Sequence, residues 1–175
     1  MILFSLDITQ GGRVIRRIKN RDGRLRFYRA LRYGTCVCSI RRDSQRRANI
    51  WFSTLFGGGT NYAHGEDTLF LCDAFRRGLR VYTSSFCLGT CAKDASTCFH
   101  GFDEKYFHDQ GVLYRAAFGA AAAPLCLRFC LKRYSAYRGE MTFFRALRAM
   151  YRGTRETPRD KRPQRGTGAQ RVERA

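Results

Sequence analysis

From residue 65 onward the chain switches between the two hydrophobic periods that separate helices from strands. Asp67, Leu71, Ala74 and Phe75 recur at helical spacing behind Gly65, Arg76 and Arg77 fill the last turn, and Gly78 stops it, which predicts a helix over 65–77. The next stretch, "LRVYTS" (79–84), sets Leu79, Val81 and Thr83 against Arg80, Tyr82 and Ser84, the period-two pattern of a half-buried strand. A helix feeding a strand is the unit of an α/β layer. Further helices are predicted near 103–118, 125–138 and 140–151, with Pro124 marking a break. The last one is amphipathic: Phe143, Phe144, Leu147 and Tyr151 fall on one side, Arg145, Arg148 and Arg152 largely on another. An interfacial helix looks like this, and so does a helix packed on a basic protein; packing is the expectation.

The N-terminal pattern is different. "VIRRIKNRDGRLRFYRALRY" alternates basic and apolar residues, and Asp22-Gly23 predicts a hairpin turn between two strands. Such a ribbon is marginal alone and needs something to pack on. "NIWFSTLF" (49–56) is an apolar patch that ends at the Gly57-Gly58-Gly59 run, a loop. Residues 153–175 carry almost no apolar side chains and are expected to be disordered. Three segments result: a basic β-ribbon segment (1–47), a globular part (48–151) and a basic tail (152–175).

The length, 175 residues, suits one domain with a real core. The net charge of +19 points to an anionic partner or surface, and it is unevenly spread. Residues 1–47 hold 13 basic and 3 acidic side chains, 48–151 hold 12 and 8, and 152–175 hold 8 and 3. The middle therefore reads as an ordinary globular protein. No charged leader with an apolar core and cleavage site begins the chain, so its eight cysteines are expected to be reduced thiols. Cys87, Cys91, Cys98 and His100 have no regular zinc-ligand spacing, and Cys126 and Cys130, one helical turn apart among leucines, read as core.

Candidate chemistry sits at the helix start "HGEDT". Glu66 and Asp67 in a first turn complement the helix dipole, an ordinary structural role. The glycine-rich loop 57–65 before them would let a substrate approach backbone closely, and an Asp there can accept a proton. Residues 49–84, "NIWFSTLFGGGTNYAHGEDTLFLCDAFRRGLRVYTS", followed by "STCFHGFDEKYFHDQGVLY", resemble the C-terminal part of bacterial family-two glycosyltransferases. The likeness covers about residues 49–118 and weakens towards 151.

The resemblance implies an α/β protein: an incomplete GT-A-like fold, its acceptor-side part, with the N-terminal β ribbon and C-terminal helices added. It implies transfer of a sugar from a nucleotide-sugar donor to an acceptor hydroxyl, in a chain that is truncated and lacks the donor-binding half. Asp67 matches the family's catalytic base and Glu66 its support; Gly58, Gly59, His64 and Gly65 are implied as acceptor-binding. The implied partners are the nucleotide-sugar, a sugar or lipid-linked acceptor, and a separate donor-half chain, with an anionic membrane surface as a further candidate. The implied place is cytoplasmic, at the inner face of the membrane. A divalent metal, Mg or Mn, belongs to the family, but its Asp-x-Asp ligands are absent: Asp7 is followed by Thr9, and no metal site is assigned. Cys98 stands where the family carries a Trp. The alternative is a basic nucleic-acid-binding module, since residues 1–47 interleave Arg with Phe27, Tyr28 and Tyr33.

Overall fold

The computed structural model describes residues 1–30, 33–92, 101–156 and 158. The chain begins with β1 (Ile2–Gln10) and β2 (Arg13–Ile18), an antiparallel hairpin closed by Gly11-Gly12. Both glycines have positive φ, 55° and 75°, the backbone a two-residue turn needs between right-twisted strands. This corrects the expected turn at Asp22-Gly23. Asp22 instead accepts hydrogen bonds from the backbone N–H of Ser85 (2.8 Å) and from its hydroxyl (2.9 Å). Those bonds, the backbone one foremost, hold its acid below the usual carboxylate value.

After β3 (Gly23–Arg24) come α1 (Phe27–Ala30), a 3-10 turn (Thr35–Val37), β4 (Cys38–Ser39), α2 (Arg42–Ala48), α3 (Glu66–Arg76) and β5 (Tyr82–Ala92). The strands form one mixed sheet in the order β2-β1-β5-β3, with β4 also on β1; β1 and β5 run parallel and the other pairs antiparallel. Leu3, Leu6 and Val81 meet Leu71 of α3, so the sheet and α3 share a core with Leu25 and Val37. Burial of these side chains fixes the register, because a one-residue slip would turn them to solvent. The predicted helix is α3, ended as expected before Gly78. The predicted strand over 79–84 starts later, at Tyr82, and runs on to Ala92. Beyond Thr83 its only strand partner among the described residues is β1, and Phe86 and Leu88 are exposed.

The C-terminal helices are α4 (Glu104–Phe118), α5 (Ala122–Tyr137) and α6 (Phe143–Arg155), near their predicted places. Asp103 caps α4 by accepting from the Tyr106 N–H at 2.6 Å. The break between α4 and α5 is a 3-10 turn, Gly119–Ala121; Pro124 sits in the first turn of α5, where its missing N–H costs nothing. Phe107, Cys126, Cys130, Tyr137 and Met150 fill the space between the helices. Where α4 and α6 cross, backbone lies on backbone. A Cβ on Gly111 would fall 2.1 Å from the Met150 carbonyl oxygen, and one on Gly153 would fall 2.1 Å from that of His108.

That crossing corrects two expectations. The buried side of α6 is Ala146, Ala149, Met150 and Gly153, and Phe144, expected on the packed side, is exposed. Close backbone approach requires a small residue at Gly153, so α6 turns Ala146, Ala149, Met150 and Gly153 fully inward, while Phe143, Leu147 and Tyr151 pack on the helical core only in part. The helix also runs through Gly153 to Arg155, into the segment expected to be disordered, because packing on α4 supplies what composition lacks. Residues 157 and 159–175 of that tail lie outside the described residues, as do Cys98 and His100.

Cys126 and Cys130 are buried as read from sequence; burial pushes the Cys126 thiol up to about 12 and that of Cys72 to about 11, while Cys87 and Cys91 are exposed. Thiolate is the reactive form, so iodoacetamide near pH 8 should label Cys87 and Cys91 in the native protein and Cys72, Cys126 and Cys130 only after denaturant is added. Peptide mass mapping checks this; fast native labelling of Cys126 would contradict the described core.

Candidate functional site

The start of α3 opens onto a cleft of about 710 Å³. One side comes from Phe27, Tyr28, Tyr33 and Gly34; another from α4, through Tyr106, Gln110, Leu113 and Tyr114; a third from α5, through Leu125, Phe129 and Arg133. His64, Gly65, Glu66 and Asp67 line it together. Gly65 is the N-cap of α3 with φ 117°, and a Cβ there would fall 2.6 Å from Leu113 Cδ1. Glycine is therefore required on two counts, backbone conformation and space.

The two carboxylates diverge. Asp67 is half-buried, and Thr35 Oγ1 donates to its Oδ1 at 2.5 Å. A Cβ on Gly34 would come within 3.0 Å of Oδ2, so backbone passes close to the second oxygen as well. Glu66 turns the other way, against Gly57, whose hypothetical Cβ would lie 3.3 Å from Glu66 Cδ. The segment that holds Asp67 is itself tied to the sheet. Tyr33 Oη donates to Asn20 Oδ1 (2.6 Å), and the Asn20 amide donates to the carbonyls of Leu3 (3.1 Å) and Phe4 (2.9 Å).

From the other side α4 pins the loop ahead of α3. Asp109, 1% exposed, accepts from the Ala63 N–H (3.0 Å) and from Lys105 Nζ (2.6 Å), which also donates to the Asn61 carbonyl (3.0 Å). A buried carboxylate is tolerated because it is both ion-paired and hydrogen-bonded. His64 Nε2 lies 3.0 Å from Gln110 Oε1, and its ring stacks on Tyr106 at 5.1 Å. Tyr62 donates to Glu156 Oε2 at 2.9 Å; burial first and Glu156 second push its phenol up to about 12.

Comparison with protein-family models, with curated proteins and with solved structures finds no match.

Four of the residues expected from sequence thus share one cleft: Asp67, Glu66, His64 and Gly65. Gly58 and Gly59 do not line it. They are exposed in the 56–62 loop, which is closed by hydrogen bonds from Gly57 N–H to the Tyr62 carbonyl (2.9 Å) and from Tyr62 N–H to the Leu55 carbonyl (3.0 Å). The glycine of that run nearest the cleft is Gly57, which does not line it but lies behind Glu66. Sequence reading missed Thr35, Gln110 and Arg133. Each reaches the site from a distant element, and only a helical phase shared with Phe129 could have flagged Arg133.

The divalent metal implied by the resemblance does not fit these residues. Asp7 pairs with Arg17 (3.6 Å), Glu66 and Asp67 point apart, and among the described residues no group of three His, Cys, Asp or Glu side chains converges. What the cleft does offer is a carboxylate at its edge to take a proton, a guanidinium to meet an anion, and aromatic walls on which a sugar ring or an apolar chain can lie.

Proposed function

We propose that this chain is the acceptor-side part of an inverting, GT-A-type glycosyltransferase. Its carrying observation is that the expected base Asp67 shares a cleft of ligand size with Glu66, His64 and Gly65. The acceptor hydroxyl attacks the anomeric carbon of a nucleotide-sugar on the face opposite the leaving group. The new C–O bond forms as the bond to the diphosphate breaks, the diphosphate leaves with that electron pair, and the hydroxyl proton passes to the Asp67 carboxylate. Arg133 is placed to meet a phosphate or another anion. This reading calls for a nucleotide-binding half that supplies the donor. The exposed Phe86 and Leu88, and the stretch of β5 beyond Thr83 that pairs among the described residues only with β1, support a docking edge for it. Release of nucleoside diphosphate from a panel of nucleotide-sugars, with acceptor sugars and a donor-half chain added, tests the reading. Release that needs this chain supports it, and no release across the panel removes it.

A second reading rests on β2, exposed along nearly its whole length, with Arg13, Arg16 and Arg17 on it and Arg29 over the Tyr28 ring at 5.9 Å. If nucleic acid is the partner, replacing Arg13, Arg16, Arg17 and Arg24 by Gln should weaken oligonucleotide binding and flatten its salt dependence, by about 0.9 in log–log slope for each phosphate no longer neutralised. Under the transferase reading the same protein should keep its transfer rate within a few-fold. Fluorescence anisotropy at several salt concentrations, beside the transfer assay, separates the two.

A further inference from the structure

Helix α5 is apolar on more faces than it buries. Its buried strip is Ala122, Cys126, Cys130 and Tyr137, while Leu127, Leu131 and Tyr134 form a second strip open to solvent, with Leu131 61% exposed. This strip continues onto the next helix. The Tyr134 ring meets Phe143 at 6.2 Å, Phe143 meets Phe144 at 5.5 Å, and Phe144 is 81% exposed. Beyond Phe144 a shallow groove of about 440 Å³ runs along α6, where Leu147 and Tyr151 lie between Arg148, Arg152 and Arg155.

Cations flank the apolar strip. Arg128 lies one turn before Leu131, Arg138 one turn after Tyr134 and Arg148 one turn after Phe144; all three are exposed and none has a carboxylate partner among the described residues. A contiguous apolar surface edged by unpaired cations suits a layered partner, apolar inside and anionic at its rim. A second copy of this chain, also at +19, would be repelled. Nucleic acid would use the arginines and rings but gain little from Leu127 and Leu131. Glu104–Tyr137 is by length and composition apolar enough to cross a bilayer, but the 3-10 turn Gly119–Ala121 interrupts it, and α4 keeps Asp109 and Gln110 buried inside the protein. The geometry suits lying on a bilayer and not spanning it.

We propose that the outer face of α5 and α6 docks on an anionic lipid bilayer, with Leu127, Leu131 and Phe144 entering the headgroup–acyl boundary and Arg128, Arg138 and Arg148 meeting lipid phosphates. The docking goes beyond the reading of the cleft and does not depend on it, since it needs neither Asp67 nor a sugar substrate.

Flotation of the full chain with vesicles tests it. The parent should float with mixed phosphatidylglycerol–phosphatidylcholine vesicles, weakly with phosphatidylcholine alone, and less as salt rises. Leu131→Glu combined with Phe144→Glu should lower partitioning by about 100-fold, since two anchoring side chains become anionic. Phe144→Ser, at the most exposed of these positions and so without a folding cost, should give a smaller loss. Arg128, Arg138 and Arg148 changed together to Gln should abolish the preference for phosphatidylglycerol. Ile15→Glu, at an exposed position of the sheet, should leave flotation unchanged. The proposal is overturned if the parent stays at the bottom of the gradient, if both Phe144 variants float like the parent, or if the sheet variant loses binding instead.

Discussion

Under the proposed transfer reaction, Asp67→Asn is expected to slow sugar transfer by about 100-fold or more, the usual contribution of a general base, with at most a small drop in thermal midpoint. Asparagine has the same shape, and its carbonyl oxygen can still accept the Thr35 hydroxyl now 2.5 Å from Asp67 Oδ1. What it lacks is basicity, so the acceptor's proton has nowhere to go as the C–O bond forms. The structural role open to Asp67, a charge near the N-terminus of α3, would lose only about 0.3–1 kcal/mol of stability with the same substitution. Rate and stability therefore report on different roles. Initial rates and a thermal melt on the same preparation decide between them: a variant that turns over within a few-fold of the parent removes Asp67 from the mechanism, whatever its melting behaviour.

Gly111→Ala is expected to cost about 3 kcal/mol of unfolding free energy, at the upper end of ordinary overpacking. The added Cβ meets the Met150 carbonyl oxygen at 2.1 Å, and helix backbone cannot rotate aside as a side chain does. α4 and α6 must separate. Because Asp109 of α4 holds Ala63 ahead of the cleft, the same change should also loosen the start of α3. Gly139→Ala is the matched control: nothing lies within 4 Å of a Cβ there, and its effect should stay within about 0.5 kcal/mol. Urea unfolding of the two variants checks both figures. Equal midpoints for Gly111→Ala and the parent would contradict the backbone packing of α4 on α6.

Much of the candidate site was readable because its central piece is contiguous. His64, Gly65, Glu66 and Asp67 are neighbours in the chain, and any helix beginning at Glu66 presents them at one end. The rest of the cleft was not readable. Thr35, Gln110 and Arg133 stand 32, 43 and 66 residues from Asp67, and no local pattern states that they will meet it. Gly58 and Gly59 stand outside the cleft for a related reason: loop residues near a site in sequence need not border it, and hydrogen bonds between Leu55, Gly57 and Tyr62 close that loop on itself. Gly11-Gly12 is as strong a turn signal as Asp22-Gly23, and the later pair closes no hairpin because Asp22 accepts its hydrogen bonds from Ser85 of β5.

Sequence alone determined what depends on neighbours a few residues apart: the helix from Glu66 to Arg76 and its stop, three C-terminal helices, a mixed α/β composition, and the buried pair Cys126 and Cys130. Hydrophobic period, caps and turn residues act within one or two turns, so a linear reading captures them. Tertiary structure alone decided which faces are used. The sequence of α6 offers Phe143, Phe144, Leu147 and Tyr151 as its obvious apolar side, yet the fully buried face is Ala146, Ala149, Met150 and Gly153, because backbone contact with α4 needs a glycine at 153, and Phe143, Leu147 and Tyr151 are left only partly buried. That choice leaves Phe144 in solvent, and the packing of the sheet segment, α3, α4 and α5 sets a carboxylate, a guanidinium and aromatic rings from four separate segments around one cleft, among them Phe27, Tyr33, His64, Tyr106 and Phe129. Steric fit between elements far apart in the chain is a property of the assembled pair, and no periodicity within either element encodes it.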